Sequence, residues 1–163
     1  MSVKVLFVCL GNICRSPTAE GIFQKLVDES GLREHIHIDS AGTAHWHQGR
    51  APDPRTVAAA RKRAVDLSIL RARKVEAADF EKFDYILAMD RNNLADLQAL
   101  KPVTYPGHLG LFLEFGSQTQ HCEVPDPYHG GADGFELVLD LVEDAAAGLL
   151  AAIHKHRFSQ QLY

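Results

Sequence analysis

The fold is decided by the stretch VKVLFVCLGNICRSP at residues 3–17. Residues 3–8 are almost entirely apolar, with β-branched and aromatic side chains, which is typical of a strand buried on both faces of a parallel sheet. A short turn from Cys9 to Ser16 follows, and Pro17 then stands where proline favours a helix start, with Ser16 as the N-cap. The stretch therefore predicts a strand, a tight loop and a helix in immediate succession.

The remaining sequence continues this alternation of strands and helices. Strands are predicted at residues 35–39 and 84–89, with a short one near 103–105, and helices at 17–30, 54–64, 92–100 and 133–156. Residues 40–53 and most of 102–131 are predicted to be loop. This order implies an α/β fold with a mainly parallel sheet, in which ligands bind at the carboxyl ends of the strands. Cys9 occupies that end of the first strand.

Length, charge and composition exclude several classes of function. A chain of 163 residues predicts one domain, residues 1–163. The net charge of −4 gives no reason to expect a nucleic-acid partner, and no apolar run is long enough for membrane insertion. The amino terminus resembles a strand and not a signal peptide, so a cytoplasmic protein is expected.

Histidine and cysteine usage also bears on the chemistry. The nine histidines are scattered and lack zinc-ligand spacing, so neither a metal nor another cofactor is predicted. The three cysteines are Cys9, Cys14 and Cys122, an odd number without a secretory signal. Structural disulfides are therefore not expected, and a reactive thiol becomes the better hypothesis.

The loop after the first strand has the properties of a phosphate-binding loop with a thiol at its floor. Gly11 and Asn12 are the residues best able to take a positive φ, which turns backbone N–H groups inward. The positive end of the following helix points at the same place, and Arg15 adds a planar guanidinium that can bind two oxygens of a tetrahedral oxyanion. This positive field favours the thiolate of Cys9, which would be positioned for in-line attack on phosphorus.

The sequence FVCLGNICRSPTAE at residues 7–20 resembles the signature of the low-molecular-weight protein tyrosine phosphatases. Further matches follow in family order: SAGT at 40–43, Trp46, GR at 49–50, PDPR at 52–55, AR at 72–73, DYILAMD at 84–90 and DPY at 126–128. The resemblance implies a three-layer α/β fold, with a four-stranded parallel sheet of order 2-1-3-4 and helices on both faces.

The resemblance also implies an activity and a set of site residues. The expected reaction is hydrolysis of phosphotyrosine and aryl phosphates through a phosphocysteine on Cys9, with Arg15 binding the phosphoryl group and Asp126 as general acid and base. The phosphate-binding loop would contain Leu10, Gly11, Asn12, Ile13, Cys14 and Ser16, and the substrate cleft would be walled by Leu10, Trp46 and Tyr128. Cys14 would protect Cys9 as its redox partner. Phosphotyrosine-containing proteins or peptides are the expected partners, and a monomer is expected.

Chemistry supports Asp126 independently, because departure of an aryl oxide needs a proton from the side opposite the thiolate. Asp126 stands between Pro125 and Pro127, and as an isolated Asp-Pro it would indicate only a turn. The resemblance to the family's acid loop changes that interpretation.

Two positions depart from the family pattern. Asn12 and Ser16 resemble the residues that brace the loop, but Leu70 stands where animal relatives often carry a histidine. The network must therefore be completed in another way, and Asp90 is a candidate to join it. His129 stands where many eukaryotic relatives carry a second tyrosine, so regulation through paired tyrosines is not expected.

Three alternatives remain open at this point. Arsenate reduction would need further thiols near the third strand, but residues 71–100 contain no cysteine and Cys122 stands alone. A silent phosphate-binding module would need neither the thiol of Cys9 nor the acid Asp126. A phosphoarginine phosphatase resembles this loop but carries threonine in place of Ile13, which favours phosphotyrosine for this chain.

Overall fold

A four-stranded parallel sheet forms the middle layer of the molecule. The computed structural model describes residues 2–158, so the predicted domain limits at residues 1 and 163 lie outside it. The strands are β1 (Val3–Cys9), β2 (Ile36–Gly42), β3 (Tyr85–Ala88) and β4 (His108–Leu111). Their order is β2-β1-β3-β4 and every pair is parallel, which confirms the predicted topology.

Helices cover both faces of this sheet, as predicted. They are α1 (Arg15–Glu29), α2 (Pro54–Arg61), α3 (Asp79–Lys82), α4 (Arg91–Leu100) and α5 (Ala132–Ile153). Phe7 of β1 packs edge-to-face on Phe23 and Phe112, in the core that α1, α2 and α5 cover. Its neighbours Leu6 and Val8 point into the second core, on the side of α3 and α4. Alternating side chains of β1 thus fill two cores, which explains why its sequence is apolar throughout.

The carboxyl ends of the strands meet at one edge of the sheet. Cys9 pairs with Gly42 of β2, and Val8 pairs with Ala88 of β3. A side chain on Gly42 would come within 2.6 Å of the Leu10 carbonyl oxygen, so only glycine allows this close approach. The loops that follow β1, β2 and β3 therefore gather around Cys9. No helix among residues 2–158 is long and apolar enough to cross a membrane.

Two of the predicted strand assignments are wrong. The second strand does not end at residue 39 but continues to Gly42, because Ser40 and Ala41 are buried beside β1. The strand predicted at residues 103–105 does not form: Val103 is 97% exposed, and the fourth strand begins at His108. Prolines at 102 and 106 limit backbone hydrogen bonding around that apolar segment.

The start of the first helix also differs from the prediction. α1 begins at Arg15, with Cys14 at the N-cap position and without a side-chain cap. Ser16, the predicted N-cap, lies inside the helix because its hydroxyl hydrogen-bonds with Cys9 and Asn12 instead.

The last helix also differs from the prediction. α5 ends at Ile153, and a π-helical turn follows over His154–Phe158. The short α3 and a 3₁₀ turn at Phe112–Phe115 were not predicted.

Candidate active site

The thiol of Cys9 lies at the floor of the loop that joins β1 to α1. Cys9 is 2% exposed, and its Sγ accepts a hydrogen bond from the backbone N–H of Asn12 at 3.2 Å. The Ser16 hydroxyl lies 3.0 Å from the same sulfur. Both groups can donate a hydrogen bond to the sulfur.

Asn12 gives the loop its shape. It has φ of +57°, a left-handed conformation that asparagine tolerates better than most residues. Its Nδ2 donates to Ser16 Oγ at 2.7 Å and to Ser40 Oγ at 3.0 Å, and its Oδ1 accepts from the N–H of Arg73 at 3.0 Å. These three bonds tie the loop to α1, to β2 and to the segment after α2.

Gly11 contributes to the loop in a different way from the one predicted. It does not take a positive φ. A Cβ atom at this position would approach His47 Cδ2 at 3.0 Å, so the absent side chain lets the His47 ring pack against the loop.

Glu20 completes the bracing network that the departure at Leu70 left open. Leu70 packs against the main core. Ser40 Oγ donates to Glu20 Oε1 at 2.6 Å, and Glu20 lies one helical turn after Ser16 on α1. Burial, with a smaller contribution from the Asp39 charge, raises the pKa of Glu20 to about 7, against the lowering effects of the Ser40 hydrogen bond and the Arg73 charge. Neither Ser40 nor Glu20 was predicted to brace the loop, although the one-turn spacing from Ser16 to Glu20 was visible in the sequence.

Arg15 lies beside the thiol and is held by fixed partners. It is 3% exposed, and its Nη1 donates to Asp90 Oδ2 at 2.7 Å and to the Val124 carbonyl at 3.1 Å. Burial lowers the pKa of Arg15, but the negative charges of Cys9 and Asp90 outweigh it, so the pKa rises. Asp90 is itself fixed as the N-cap of α4. Asp90 therefore acts on the site through Arg15, and not through the Asn12 network.

Asp126 reaches the same site from the long loop before α5. Its Oδ1 accepts from the N–H of Tyr128 at 3.1 Å, and its Oδ2 lies 3.7 Å from Arg15 Nη2. The Asp126 side chain is 46% exposed, whereas that of Arg15 is almost fully buried. An acid that faces both the cleft and the solvent can exchange its proton between substrate and water.

One cleft of about 160 Å³ brings nearly all of the predicted site residues together. It is lined by Cys9, Leu10, Gly11, Ile13, Cys14, Arg15, Trp46, Asp126 and Tyr128, and by His47 and His129, which were not predicted as site residues. Trp46 and Tyr128 stand at its walls and remain 65% and 39% exposed. Asn12 and Ser16 are buried and support the loop from below.

Cys14 is a buried free thiol in the same loop. Burial, followed by the charges of Asp53, Cys9 and Asp126, raises the pKa of Cys14 to about 12, although the Thr56 hydroxyl acts in the opposite direction. This high pKa keeps the Cys14 thiol neutral at physiological pH. Cys9 and Cys14 are not joined in a disulfide.

Within residues 2–158, no three His, Cys, Asp or Glu side chains come together as metal ligands would.

Comparison of the sequence and the structure with known proteins finds similar phosphatases. Residues 4–159 match the family described as "Low molecular weight phosphotyrosine protein phosphatase". The chain is 47% identical over 135 residues to such a phosphatase from Schizosaccharomyces pombe, covering 82% of this chain and 86% of that one. A protein tyrosine phosphatase structure from Entamoeba histolytica is 39% identical with a TM-score of 0.92, covering 96% and 100% of the two chains. An arginine phosphatase structure from Drosophila is 31% identical with a TM-score of 0.86, covering 92% and 97%.

The raised pKa of Glu20 predicts a pH-dependent stability. The pKa rises from 4.5 to about 7 on folding, so the stability that the protonated form provides is lost as the pH rises through 7. The Glu20→Gln variant keeps an acceptor for Ser40 but cannot ionise. Between pH 5 and pH 8, we expect the free energy of unfolding of the wild type to fall relative to that of the variant by on the order of 2 kcal/mol.

Urea denaturation of both proteins at the two pH values measures this difference. Glu34→Gln, at an exposed glutamate, is the control and is expected to behave as the wild type does. If the free energies of unfolding of the wild type and Glu20→Gln differed by the same amount at pH 5 and pH 8, the raised pKa of Glu20 would be contradicted.

Proposed function

Because the chain belongs to the low molecular weight phosphotyrosine protein phosphatase family, we propose that it hydrolyses phosphotyrosine through a phosphocysteine intermediate on Cys9. The protein is thus a protein-tyrosine phosphatase, a hydrolase of phosphoric monoesters. One observation carries the proposed mechanism: the Cys9 sulfur accepts a hydrogen bond from a backbone N–H at the floor of the loop, and Asp90 fixes the guanidinium of Arg15 beside it. The family match over residues 4–159 supports a single catalytic domain.

In the first step, the backbone N–H groups of the loop and the guanidinium of Arg15 bind the phosphoryl oxygens. The Cys9 thiolate attacks phosphorus and forms an S–P bond, while the bond from phosphorus to the phenolic oxygen breaks. The electron pair of that bond remains on the phenolic oxygen, which takes a proton from Asp126. The Asp90 contact supports this role for Arg15, because it fixes one edge of the guanidinium and leaves the remaining donors for the phosphate.

In the second step, a water molecule attacks the phosphocysteine and Asp126, now ionised, accepts its proton. The S–P bond breaks, and the electron pair returns to Cys9 as a thiolate. The Ser16 hydroxyl and the Asn12 N–H lie at 3.0 and 3.2 Å from this sulfur, which supports a role for them in stabilising the departing thiolate. Inorganic phosphate is then released.

The walls of the cleft favour an aromatic leaving group. Trp46 and Tyr128 offer exposed aromatic faces on which a phenyl ring can pack, and Ile13 is apolar and nearly buried at the floor. The likeness to an arginine phosphatase makes phosphoarginine the relevant comparison substrate. Ile13 has no hydroxyl to position a water toward a P–N bond, so phosphotyrosine-containing proteins or peptides are the proposed substrates.

Replacement of the nucleophile tests the reaction directly. We expect Cys9→Ser to lower turnover of p-nitrophenyl phosphate and of a phosphotyrosyl peptide by on the order of 10⁴-fold or more, because serine supplies no thiolate. Binding of inorganic phosphate, measured by calorimetry, persists because the N–H groups and Arg15 remain.

The control is Cys122→Ser, at an exposed thiol outside the cleft, which keeps wild-type activity. Turnover of neither substrate by the wild type would refute the phosphotyrosine proposal, and preferential turnover of a phosphoarginine peptide would reassign the substrate.

Loss of the general acid has a characteristic dependence on the leaving group. We expect Asp126→Asn to lower kcat/KM for phenyl phosphate by on the order of 100-fold. The loss is much smaller for aryl phosphates with acidic phenols, which depart without a proton. Asp133→Asn, at an exposed acid in the first turn of α5, is the control. If Asp126→Asn slowed all substrates equally, the acid would have to lie elsewhere.

We also propose that Cys14 protects Cys9 from irreversible oxidation. Peroxide converts the Cys9 thiolate to a sulfenic acid, and the Cys14 thiol then forms an S–S bond with it, releasing water. Dithiothreitol is expected to restore activity to oxidised wild type, whereas Cys14→Ser recovers far less because its sulfenic acid proceeds to sulfinic acid. Equal recovery of the two proteins would show that Cys14 has only a packing role.

A further inference from the structure

The acid loop, residues 125–131, carries Asp126 but forms no helix or strand of its own. Its start follows Val124, whose N–H donates to the Met89 carbonyl, and its end leads into α5. Two hydrogen bonds lie within the loop, from the Tyr128 N–H to Asp126 and from the Gly130 N–H to the Pro127 carbonyl. The position of Asp126 relative to Cys9 therefore depends on what holds the middle of this loop.

Arg55 holds the middle of the acid loop. Its Nη2 donates to the Tyr128 carbonyl at 2.8 Å. Of the hydrogen bonds that the structure shows within residues 2–158, this is the one that joins the main chain of the middle of the loop, residues 126–130, to another element. The Arg55 guanidinium also lies 5.6 Å from the centre of the Tyr128 ring and 4.9 Å from that of Phe135, at cation–π distance from both.

The other edge of Arg55 is fixed to Asp53, beside the phosphate-binding loop. Arg55 Nε and Nη2 donate to the two carboxylate oxygens of Asp53 at 3.0 and 2.9 Å. The hydrogen bonds from Arg55 hold the pKa of Asp53 below its usual range despite burial. The backbone N–H of Asp53 in turn donates to the Ile13 carbonyl at 2.9 Å. One continuous series of contacts thus runs from Ile13 through Asp53 and Arg55 to Tyr128.

The last contact of this series reaches the acid itself. Tyr128 accepts a hydrogen bond from Arg55 at its carbonyl, and its own backbone N–H donates to Asp126 Oδ1. Fixing Tyr128 therefore fixes one carboxylate oxygen of Asp126 and leaves the other, Oδ2, on the side of Arg15. Arg55 does not line the cleft, so it acts on the reaction only through Tyr128 and Asp126.

We propose that Arg55 is a positioning residue that holds the general acid Asp126 at the correct distance from the phosphate-binding loop, a role that rests on the phosphatase reaction proposed above. Proton transfer requires a heavy-atom approach of about 2.6–3.2 Å, and a misplacement of about 1 Å can cost roughly 100-fold in rate. Only arginine suits the position, because its planar fork binds a carboxylate with one edge while a further N–H reaches a carbonyl.

The test compares Arg55→Ala, Arg55→Lys, Asp126→Asn and the double variant Arg55→Ala/Asp126→Asn. The readout is kcat/KM for a series of aryl phosphates with leaving groups of graded acidity. We expect Arg55→Ala to lower kcat/KM about 10-fold for phenyl phosphate and less than about 2-fold for the most acidic phenols. Arg55→Lys retains only part of the function, because an ammonium group cannot bind both oxygens of Asp53 and the Tyr128 carbonyl.

Two comparisons separate positioning from a general structural effect. The double variant is expected to be no slower on phenyl phosphate than Asp126→Asn alone, because the acid that Arg55 positions is already absent. Inorganic phosphate binds all variants with wild-type affinity, since the loop and Arg15 are unchanged. Arg61→Ala is the matched control: it removes the same charge from an exposed position on the same helix and keeps wild-type kinetics.

The outcomes distinguish this proposal from the proposed function. If Asp126→Asn shows the leaving-group dependence and Arg55→Ala slows all substrates equally, the positioning role is refuted and the acid assignment stands. If Asp126→Asn itself shows no such dependence, the acid assignment fails and the positioning role fails with it. Should Arg55→Ala not fold, as judged by circular dichroism, Arg55→Lys decides the question by the same comparison.

Discussion

The hydrogen bonds of the Asn12 side chain are the constraint on which the site depends. A left-handed residue in a tight loop would not persist in isolation, because the conformation costs free energy for any residue with a side chain. Asn12 offsets this cost by bonding to Ser16, Ser40 and Arg73, which lie on three different parts of the chain. These bonds fix the loop through protein groups alone, which limits the rearrangement that its backbone N–H groups need in order to accept charge.

Buried charges around this loop compensate one another. Arg15 is almost fully buried, and an unpaired guanidinium there would be very costly. The Asp90 carboxylate partly neutralises the Arg15 guanidinium, because its Oδ2 accepts from Arg15 Nη1 at 2.7 Å. The sulfur of Cys9 provides further negative charge nearby. Asp126 stands 3.7 Å away, on a loop positioned by Arg55. Each ionic group of the reaction thus has an oppositely charged or hydrogen-bonding neighbour that also fixes its position.

The Glu20 contact shows where the bracing network ends in a chain that carries leucine at position 70. The histidine that animal relatives often carry is leucine at position 70 here, and that side chain has joined the core. The polar network ends instead on Glu20, through a short bond from Ser40. Since burial raises the pKa of this carboxyl to about 7, the outer end of the network titrates near neutral pH. The bracing of the loop and its sensitivity to pH are therefore linked in this protein.

Local sequence patterns predicted the β1 and α1 segments and the phosphate-binding loop between them, because each depends on neighbouring residues, whereas the sheet order came from the family resemblance. The N-cap at Ser16 and the strand at 103–105 were predicted wrongly, since tertiary hydrogen bonds and flanking prolines overruled local propensity. Arg55 and Tyr128 lie 73 positions apart, and no local pattern indicates their bond. The sequence by itself thus determined the family and the groups proposed to perform the chemistry, whereas only the tertiary structure decided what holds them in place, because those contacts join segments that meet only when the chain is folded.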